Sequence, residues 1–291
     1  MKVLALVIAL ALLAVSPARQ QQPFRTATDV VILEAAVLQN NTPVTGLTAR
    51  DFIVTDNGVR QTVEAVSAEA LPVDLSLILD TSGSMTDTVE QLTEQLTVAT
   101  GHLRADDHLR FLQFGWGVRE VFAMQPPASR VSLDKFTAGG ATSFHDALAA
   151  ALMRVRRPGR AELAVVFTDA VDTSSAMTLE ATEELARRSD VLLHAFIVRP
   201  PEAVAIDVMI LRPDYRPLAD LVALTGGGLE VMLADKHVVT GLSRAISEFR
   251  SRYSLRFTAT GVPRAGWHEL VVTIDRPGGF VVRARRGYFG G

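Results

Sequence analysis

The chain has 291 residues, 48% of them hydrophobic, no cysteine, and a formal net charge of −3. That length fits one large domain with a smaller companion. The absence of cysteine excludes disulfides, thiolate metal sites, cysteine nucleophiles and lipid attachment at an N-terminal cysteine, and the mixed, nearly balanced charge gives no long-range field to attract nucleic acid or an anionic bilayer.

The first residues, MKVLALVIALALLAVSPARQQQ, hold one lysine, an unbroken apolar run from Val3 to Val15, and small residues Ser16 and Ala18 at the −3 and −1 positions of an exit site. This predicts a secretory signal over residues 1–18, cleaved after Ala18, because the run falls short of the ~20 residues that a membrane span needs. The expected location is therefore secreted or periplasmic, with no stable membrane anchor after cleavage. A cysteine-free exported chain fits a bacterial periplasm or exterior better than a disulfide-stapled extracellular module.

Residues 19–71 show β-rich runs broken by the turn signals Asn40-Asn41 and Asn57-Gly58, with no helical period. From Pro72 the pattern changes. VDLSLILD reads as a buried strand, followed by a helix with Val89, Leu92, Leu96, Ala99 and Leu103 on one face, opened by Asp87 with Glu90 three residues on. LRFLQFG and REVFAM read as strands. TSFHDALAAALMRVRRPG predicts a helix capped by Ser143, carrying Leu148, Leu152 and Val155, and stopped at Pro158-Gly159. ELAVVFTD is a strand, LEATEELARRS a helix and VLLHAFIV a strand. RPLADLVALTGG places Pro217 at a helix start and Gly226 just past its end. LEVML and a helix with Leu242, Ala245, Ile246 and Phe249 close the unit. This alternation predicts an α/β domain over residues 72–250, a doubly wound, mostly parallel, Rossmann-like sheet with helices on both faces.

Residues 251–291 return to strands in YSLRFTA, HELVVTIDR and FVVRARRGYF. Neither flank can bury a sheet alone, since ~45 residues make a poor core. The two are therefore expected to combine into one small β-sandwich, with Trp267 and Tyr288 packing it.

Chemistry concentrates at strand ends. Asp80 closes the first parallel strand, at the edge where open α/β sheets place ligands, and Ser82 and Ser84 follow in a glycine-containing turn. GGATSF brings Thr142 just ahead of a helix, and VVFTDA ends a strand in Asp169. Asp80, Ser82, Ser84, Thr142 and Asp169 thus sit on three loops at one edge. Hard oxygen donors with no sulfur or clustered imidazole favour Mg2+, with Mn2+ or Ca2+ possible, over zinc or copper. The competing reading makes the same residues helix caps and turn formers.

In this order the five residues, with Thr81 and Gly83, resemble the metal-ion-dependent adhesion site of von Willebrand factor type A domains, and the strand–helix order resembles that fold over about 180 residues. VTGLTARDFIVTDNGVRQ and GWHELVVTIDRPGGFVVRARRGYF look like the ends of secreted bacterial proteins described as VWFA-related, notably from acidobacteria. The resemblance implies that Ser82, Ser84 and Thr142 present hydroxyls to the ion while Asp80 and Asp169 act directly or through water. One position is then left open for an aspartate or glutamate of a protein or peptide partner. Asp172 and Ser175 also match the family's loop, in a supporting or merely solvated role. Ala170 departs from the pattern, which commonly has glycine there.

Other readings are weaker. A hydrolase built on Ser82 or Ser84 with His145 lacks the G-x-S-x-G elbow. His102, His108, His145, His194, His237 and His268 show no helical metal-ligand spacing. The arginines of RVRRPGR fall where a helix C-terminus accounts for them, Arg283, Arg285 and Arg286 on a strand edge that charge would protect, and Trp116, Trp267 and Tyr288 are too scattered to stack bases. The sequence therefore predicts a binding protein without catalytic residues or nucleic-acid partner. The main alternative keeps the fold but makes the metal structural, with partners docking through the β-sandwich, and a metal-assisted hydrolase is a third, weaker reading.

Overall fold

Alternation in VVILEAAVLQ turns one face inward and makes Val30–Gln39 a strand, β1. Residues 30–127, 136, 138–199, 215–233 and 237–291 are described by a computed structural model; the signal segment predicted over 1–18 lies outside the described residues. β2 (Thr42–Pro43), β3 (Phe52–Asp56), β4 (Val59–Gln61) and β5 (Val63–Ser67) complete the first flank. Its turns follow the predicted chemistry: Asn40 and Asn41 have φ of 51° and 59°, and Asn57 and Gly58 have 46° and 79°, the left-handed pairs that tight hairpins require.

β6 (Val73–Asp80) is buried at all eight positions, as a central parallel strand covered on both faces must be. After it come α1 (Val89–Thr100), β7 (His108–Phe114), β8 (Val118–Gln125), α2 (Phe144–Leu152), β9 (Ala161–Thr168), α3 (Leu179–Arg188), β10 (Leu192–Arg199), α4 (Arg216–Thr225), β11 (Leu229–Leu233) and α5 (Val238–Arg250). The sheet order is β11-β10-β9-β6-β7-β8, parallel except for antiparallel β8 at the edge. This is a doubly wound sheet whose order reverses between β6 and β9. One core packs α1 and α5 on one face through Leu92, Leu96, Leu242 and Phe249. The other packs α2, α3 and α4 through Leu148, Ala186 and Leu221.

The second flank supplies β12 (Tyr253–Thr258), β13 (Gly266–Ile274), β14 (Phe280–Ala284) and β15 (Gly287–Gly290). Its strands interleave with the first. β1 lies between β14 and β12, with β5 beyond, and a second sheet runs β15-β13-β3-β4. Both sheets point side chains into one core of Leu33, Val37, Phe52, Val54, Tyr253, Phe257 and Leu270, the expected sandwich. Tyr288 packs against this core and its hydroxyl donates to Asp56 at 2.8 Å. Trp267 instead lies at the border with the α/β unit, under the guanidinium of Arg187 in α3 at 5.1 Å.

Several local expectations change. α1 is entered through Thr88 rather than Asp87, without a side-chain cap. α2 stops at Leu152, so Val155 stands 84% exposed rather than on its apolar stripe. The arginines beyond it are held by buried carboxylates, not by a helix end: Arg157 and Arg160 donate to Asp74 at 2.7 and 2.6 Å, and Arg154 to Glu162 at 3.0 Å. FVVRARRGYF forms two strands because β14 pairs with β1 in one sheet while β15 pairs with β13 in the other. Its arginines reach the α/β unit: Arg283 donates to Glu248 at 2.6 Å, Arg285 to the carbonyl of Arg187 at 3.0 Å and Arg286 to Asp220 at 3.0 Å. They fasten the two units together as well as lining an edge. At that junction Gly226 ends α4 with φ 85°, and any side chain there would meet the Arg285 nitrogen at 2.6 Å.

His194 of β10 is 2% exposed at the same junction. Burial, with Arg283, Arg252 and Arg244 nearby, lowers its pKa to about 3. The fold therefore holds it neutral, while the unfolded chain takes up a proton below its ordinary value of about 6.5. Its contribution is complete above that value and declines as pH falls toward 3. Between pH 7 and 5, urea unfolding should show the native chain losing about 2 kcal/mol more than a His194→Gln variant; equal losses would remove His194 as the cause.

Candidate functional site

The apolar run of β6 ends in Asp80, which is fully buried at the sheet edge beside β9. Its Oδ1 accepts from the Ser82 backbone N–H at 2.9 Å and its Oδ2 from the Thr168 hydroxyl at 2.6 Å. Burial still pushes its carboxyl up to about 6 against those hydrogen bonds, and the negative charge of Asp169 adds to the rise. A carboxylate sealed in this way, with a second one beside it, lacks a counter-charge.

Gly83–Met85 form a 3-10 turn after Ser82. The turn brings the Ser82 and Ser84 hydroxyl oxygens to 3.1 Å. Thr142 is 4% exposed, its N–H donating to the Thr173 hydroxyl at 2.8 Å and its carbonyl accepting from Thr173 and Ser174 N–H at 2.9 and 3.1 Å. Among the described residues its hydroxyl has no partner.

Backbone hydrogen bonds sew these loops into one rim. Gly83 N–H donates to the Gly140 carbonyl at 3.1 Å, Gly139 N–H to Thr81 at 2.9 Å and Ser143 N–H to Gly115 at 2.8 Å. Thus Asp80, Ser82, Ser84, Thr142 and Asp169 occupy neighbouring loops at the strand-order switch, with direct contacts linking Asp80 to Ser82 and Ser82 to Ser84.

Ser143 sits at the N-cap of α2 but makes no capping hydrogen bond. That role falls to Asp172, whose Oδ1 accepts from Phe144 and His145 N–H at 2.8 and 3.3 Å and from the Ser175 hydroxyl at 2.5 Å. Asp146 returns the tie by accepting from Ala176 and Met177 N–H at 3.0 and 2.9 Å. Asp172 and Ser175 therefore fix the helix start that carries Thr142. Asp172 engages backbone that the sequence does not reveal as uncapped, and Thr168 escaped notice as one more residue of an apolar strand.

Trp116 is also a surprise. It is 78% exposed, yet its indole lies across Gly140 so closely that a side chain there would sit 1.8 Å from the ring nitrogen. The glycine pair seats an outward-facing aromatic on the loop next to Thr142. Its relevance is invisible to a search for base-stacking clusters.

The donor set fits a hard divalent cation. Two ligands at right angles on an ion with bonds of ~2.1 Å lie ~3 Å apart, and the serine hydroxyls already have that separation. Among the described residues no three His, Asp or Glu side chains gather into a metal cage, so a cation at this edge relies on hydroxyls supported by two carboxylates. His145 Nδ1 lies 3.8 Å from Asp172, and among the described residues neither serine hydroxyl is hydrogen-bonded to a histidine.

Comparisons agree with this architecture. The family model for the von Willebrand factor type A domain matches residues 74–218. No curated protein matches the chain. Proximal thread matrix protein 1 from the mussel byssus, in a structure with a zinc-occupied MIDAS motif, aligns at TM-score 0.51 and 14% identity over 67% of this chain and 49% of its own. This chain therefore spans about half the length of that protein. The ArnB paralog VWA2 from Sulfolobus acidocaldarius gives TM-score 0.51 and 9% identity over 89% of this chain and 76% of its own. A von Willebrand factor type A structure from Catenulispora acidiphila gives 0.50 and 12% over 87% and 76%. At such identities the likeness is one of fold.

Ala170, which follows Asp169, has φ 67°, a conformation that costs an L-residue with a side chain roughly 1 kcal/mol relative to glycine. Ala170→Gly should raise unfolding stability by about 0.5 kcal/mol after the greater freedom of unfolded glycine is counted. A loss of stability in urea titration would mean that the loop does not hold this strain.

Proposed function

Because residues 74–218 make this chain a member of the von Willebrand factor type A family, we propose that it is a metal-dependent interaction module that binds an acidic group of a protein or peptide partner. The carrying observation is the pair of serine hydroxyls held 3.1 Å apart next to the buried, charge-starved Asp80. Ser82, Ser84 and Thr142 present hydroxyl oxygens to the ion, and Asp80 and Asp169 bind it directly or through water. Mg2+ is the first candidate and Mn2+ or Ca2+ the others; the zinc-occupied motif named for the mussel protein supports a divalent ion at this place in the fold. When bound, the ion supplies positive charge with a coordination position that a partner's aspartate or glutamate can fill.

The chain's own residues prepare that encounter. Thr168 and the Ser82 N–H fix the rotamer of Asp80. Asp172 holds the start of α2 and with it Thr142. Trp116 offers exposed aromatic area on the adjacent loop, the residue type that most often anchors interfaces. The secreted or periplasmic setting rests on the sequence of residues 1–18.

Thermal unfolding of residues 19–291 with Mg2+, Mn2+, Ca2+ or chelator tests the metal. An ion at 100 times its dissociation constant adds about 2.7 kcal/mol to stability, so the midpoint should rise with at least one of them and Ser84→Ala should lose the rise. No shift with any ion would remove the metal reading. Thr142→Ala separates interaction from a purely structural metal: near-native stability with lost binding supports the former, and destabilisation with retained binding the latter.

Selection from a displayed peptide library, with and without chelator, tests the partner chemistry. Metal-dependent enrichment of Asp or Glu is expected, and Trp116→Ala should weaken the selected peptides about tenfold while leaving the metal-induced midpoint shift intact. Enrichment without acidic residues would contradict the acidic-group assignment.

A further inference from the structure

At the opposite edge of the parallel sheet, where β9 and β10 begin, a cleft of about 630 Å³ opens between the α/β unit and strands β1 and β12 of the sandwich. Its volume lies within the ordinary range for small-molecule sites. Its lining includes five arginines, at positions 156, 157, 250, 252 and 285, against the carboxylates of Glu34, Glu69 and Asp190.

Arg252 decides what the cleft can hold. It is 6% exposed, donates Nη1 to the Arg283 carbonyl at 3.0 Å and Nη2 to the Gly226 carbonyl, and keeps Nε enclosed without a partner among the described residues. Neither acceptor carries a charge. The acidic groups whose field reaches it are Glu248 and Glu34, and both are engaged elsewhere: Glu248 accepts from Arg283 at 2.6 Å and Glu34 from Arg156 at 2.9 Å.

Arg285 repeats the pattern. It donates Nη2 to the carbonyls of Arg187 and Ser189 at 3.0 and 3.3 Å, stands 3.7 Å from the largely exposed Asp190, and also leaves Nε unpartnered among the described residues. Arg250 binds Asp107, and its Nε too has no partner among the described residues. Three arginines that line one cleft each keep a guanidinium nitrogen without an acceptor among the described residues, which is unusual because buried polar groups are normally satisfied and buried charges paired. Burial lowers the Arg252 pKa to about 10, as expected for a cation short of counter-charge.

We propose that this cleft is a second ligand site that takes a small amphiphilic anion, its carboxylate or phosphate neutralising Arg252 and Arg285 and its apolar part resting on Ile32, Leu71 and Phe249. The anionic head compensates charge that the fold has buried and left open, and the apolar side chains favour a ligand with a hydrocarbon part over a bare hydrated ion. The site is independent of the metal at the other edge of the sheet.

Isothermal titration of residues 19–291 with octanoate, octyl phosphate, inorganic phosphate and octylammonium tests it. Saturable binding of octanoate or octyl phosphate, at least tenfold tighter than octylammonium, is expected; whichever of the two anions binds more tightly identifies the head group. Arg285→Gln should weaken that anion about tenfold, Ser67→Trp at the exposed rim should block it, and Glu34→Gln, which removes a competing carboxylate, should strengthen it. The Glu34 and Ser67 variants leave the buried arginines in place, so they remain informative if Arg285→Gln unfolds. No saturable binding by either amphiphilic anion, equal binding of octylammonium, or affinities unchanged in the Glu34 and Ser67 variants would overturn the proposal.

Discussion

The carboxylate of Asp80 sets the terms for the edge of the parallel sheet where β6 ends. It is carried to the end of a strand buried on both faces, where water cannot solvate it, and two hydrogen bonds do not hold its pKa at the ordinary value. A group in that position must be protonated, paired or liganded. The surrounding loops bring oxygen atoms toward it: hydroxyls from Ser82 and Ser84 lie close by, Thr142 stands on a loop hydrogen-bonded to theirs, and Asp169 brings a second negative charge instead of relief. The strand-order reversal between β6 and β9 makes room for this arrangement, since the loops leaving those strands diverge to opposite faces of the sheet.

A rigid frame keeps those loops in register. α2 begins on the Asp172 carboxylate, and the reciprocal tie from Asp146 binds the loop after β9 to the same helix. At the far edge, Asp74 is fully buried between Arg157 and Arg160, whose ion pairs hold its carboxyl below the ordinary range although burial opposes them. The sandwich is fastened through Arg283, Arg285 and Arg286 and through aromatic contacts of Trp267 and Phe289 with Arg187 and Arg188. Guanidinium groups serve here because they satisfy carbonyls and carboxylates in a fixed plane while stacking on rings. The same choice leaves the uncompensated charge that gives the interdomain cleft its character.

Much of this was legible in the residues because it rests on short-range rules. Period-two and period-three-to-four patterns located the strands and helices, asparagine and glycine marked the left-handed turns, and Asp80, Ser82, Ser84, Thr142 and Asp169 stood at strand ends in an order that the fold brings together. What escaped depends on distant partners. Nothing local distinguishes Ser143 from a working cap, because Asp172 takes over only after the loop following β9 folds back. α2 was read too long because Val155 continues its apolar period, whereas the arginines after Leu152 are drawn away to Glu162, Glu34 and Asp74. One strand was read where two exist, since the sequence does not announce that β14 and β15 belong to different sheets.

One divalent ion among the serine hydroxyls, Thr142 and the two aspartates is what the proposed function requires. Anomalous scattering from crystals of residues 19–291 soaked in Mn2+ locates such an ion without reference to stability or partner. One strong peak is expected within bonding distance of the Ser82 and Ser84 hydroxyl oxygens, absent from Ser84→Ala crystals treated identically. A manganese peak elsewhere on the chain, or none where the two serines meet, would contradict it and leave these residues as caps and turns around a buried acid.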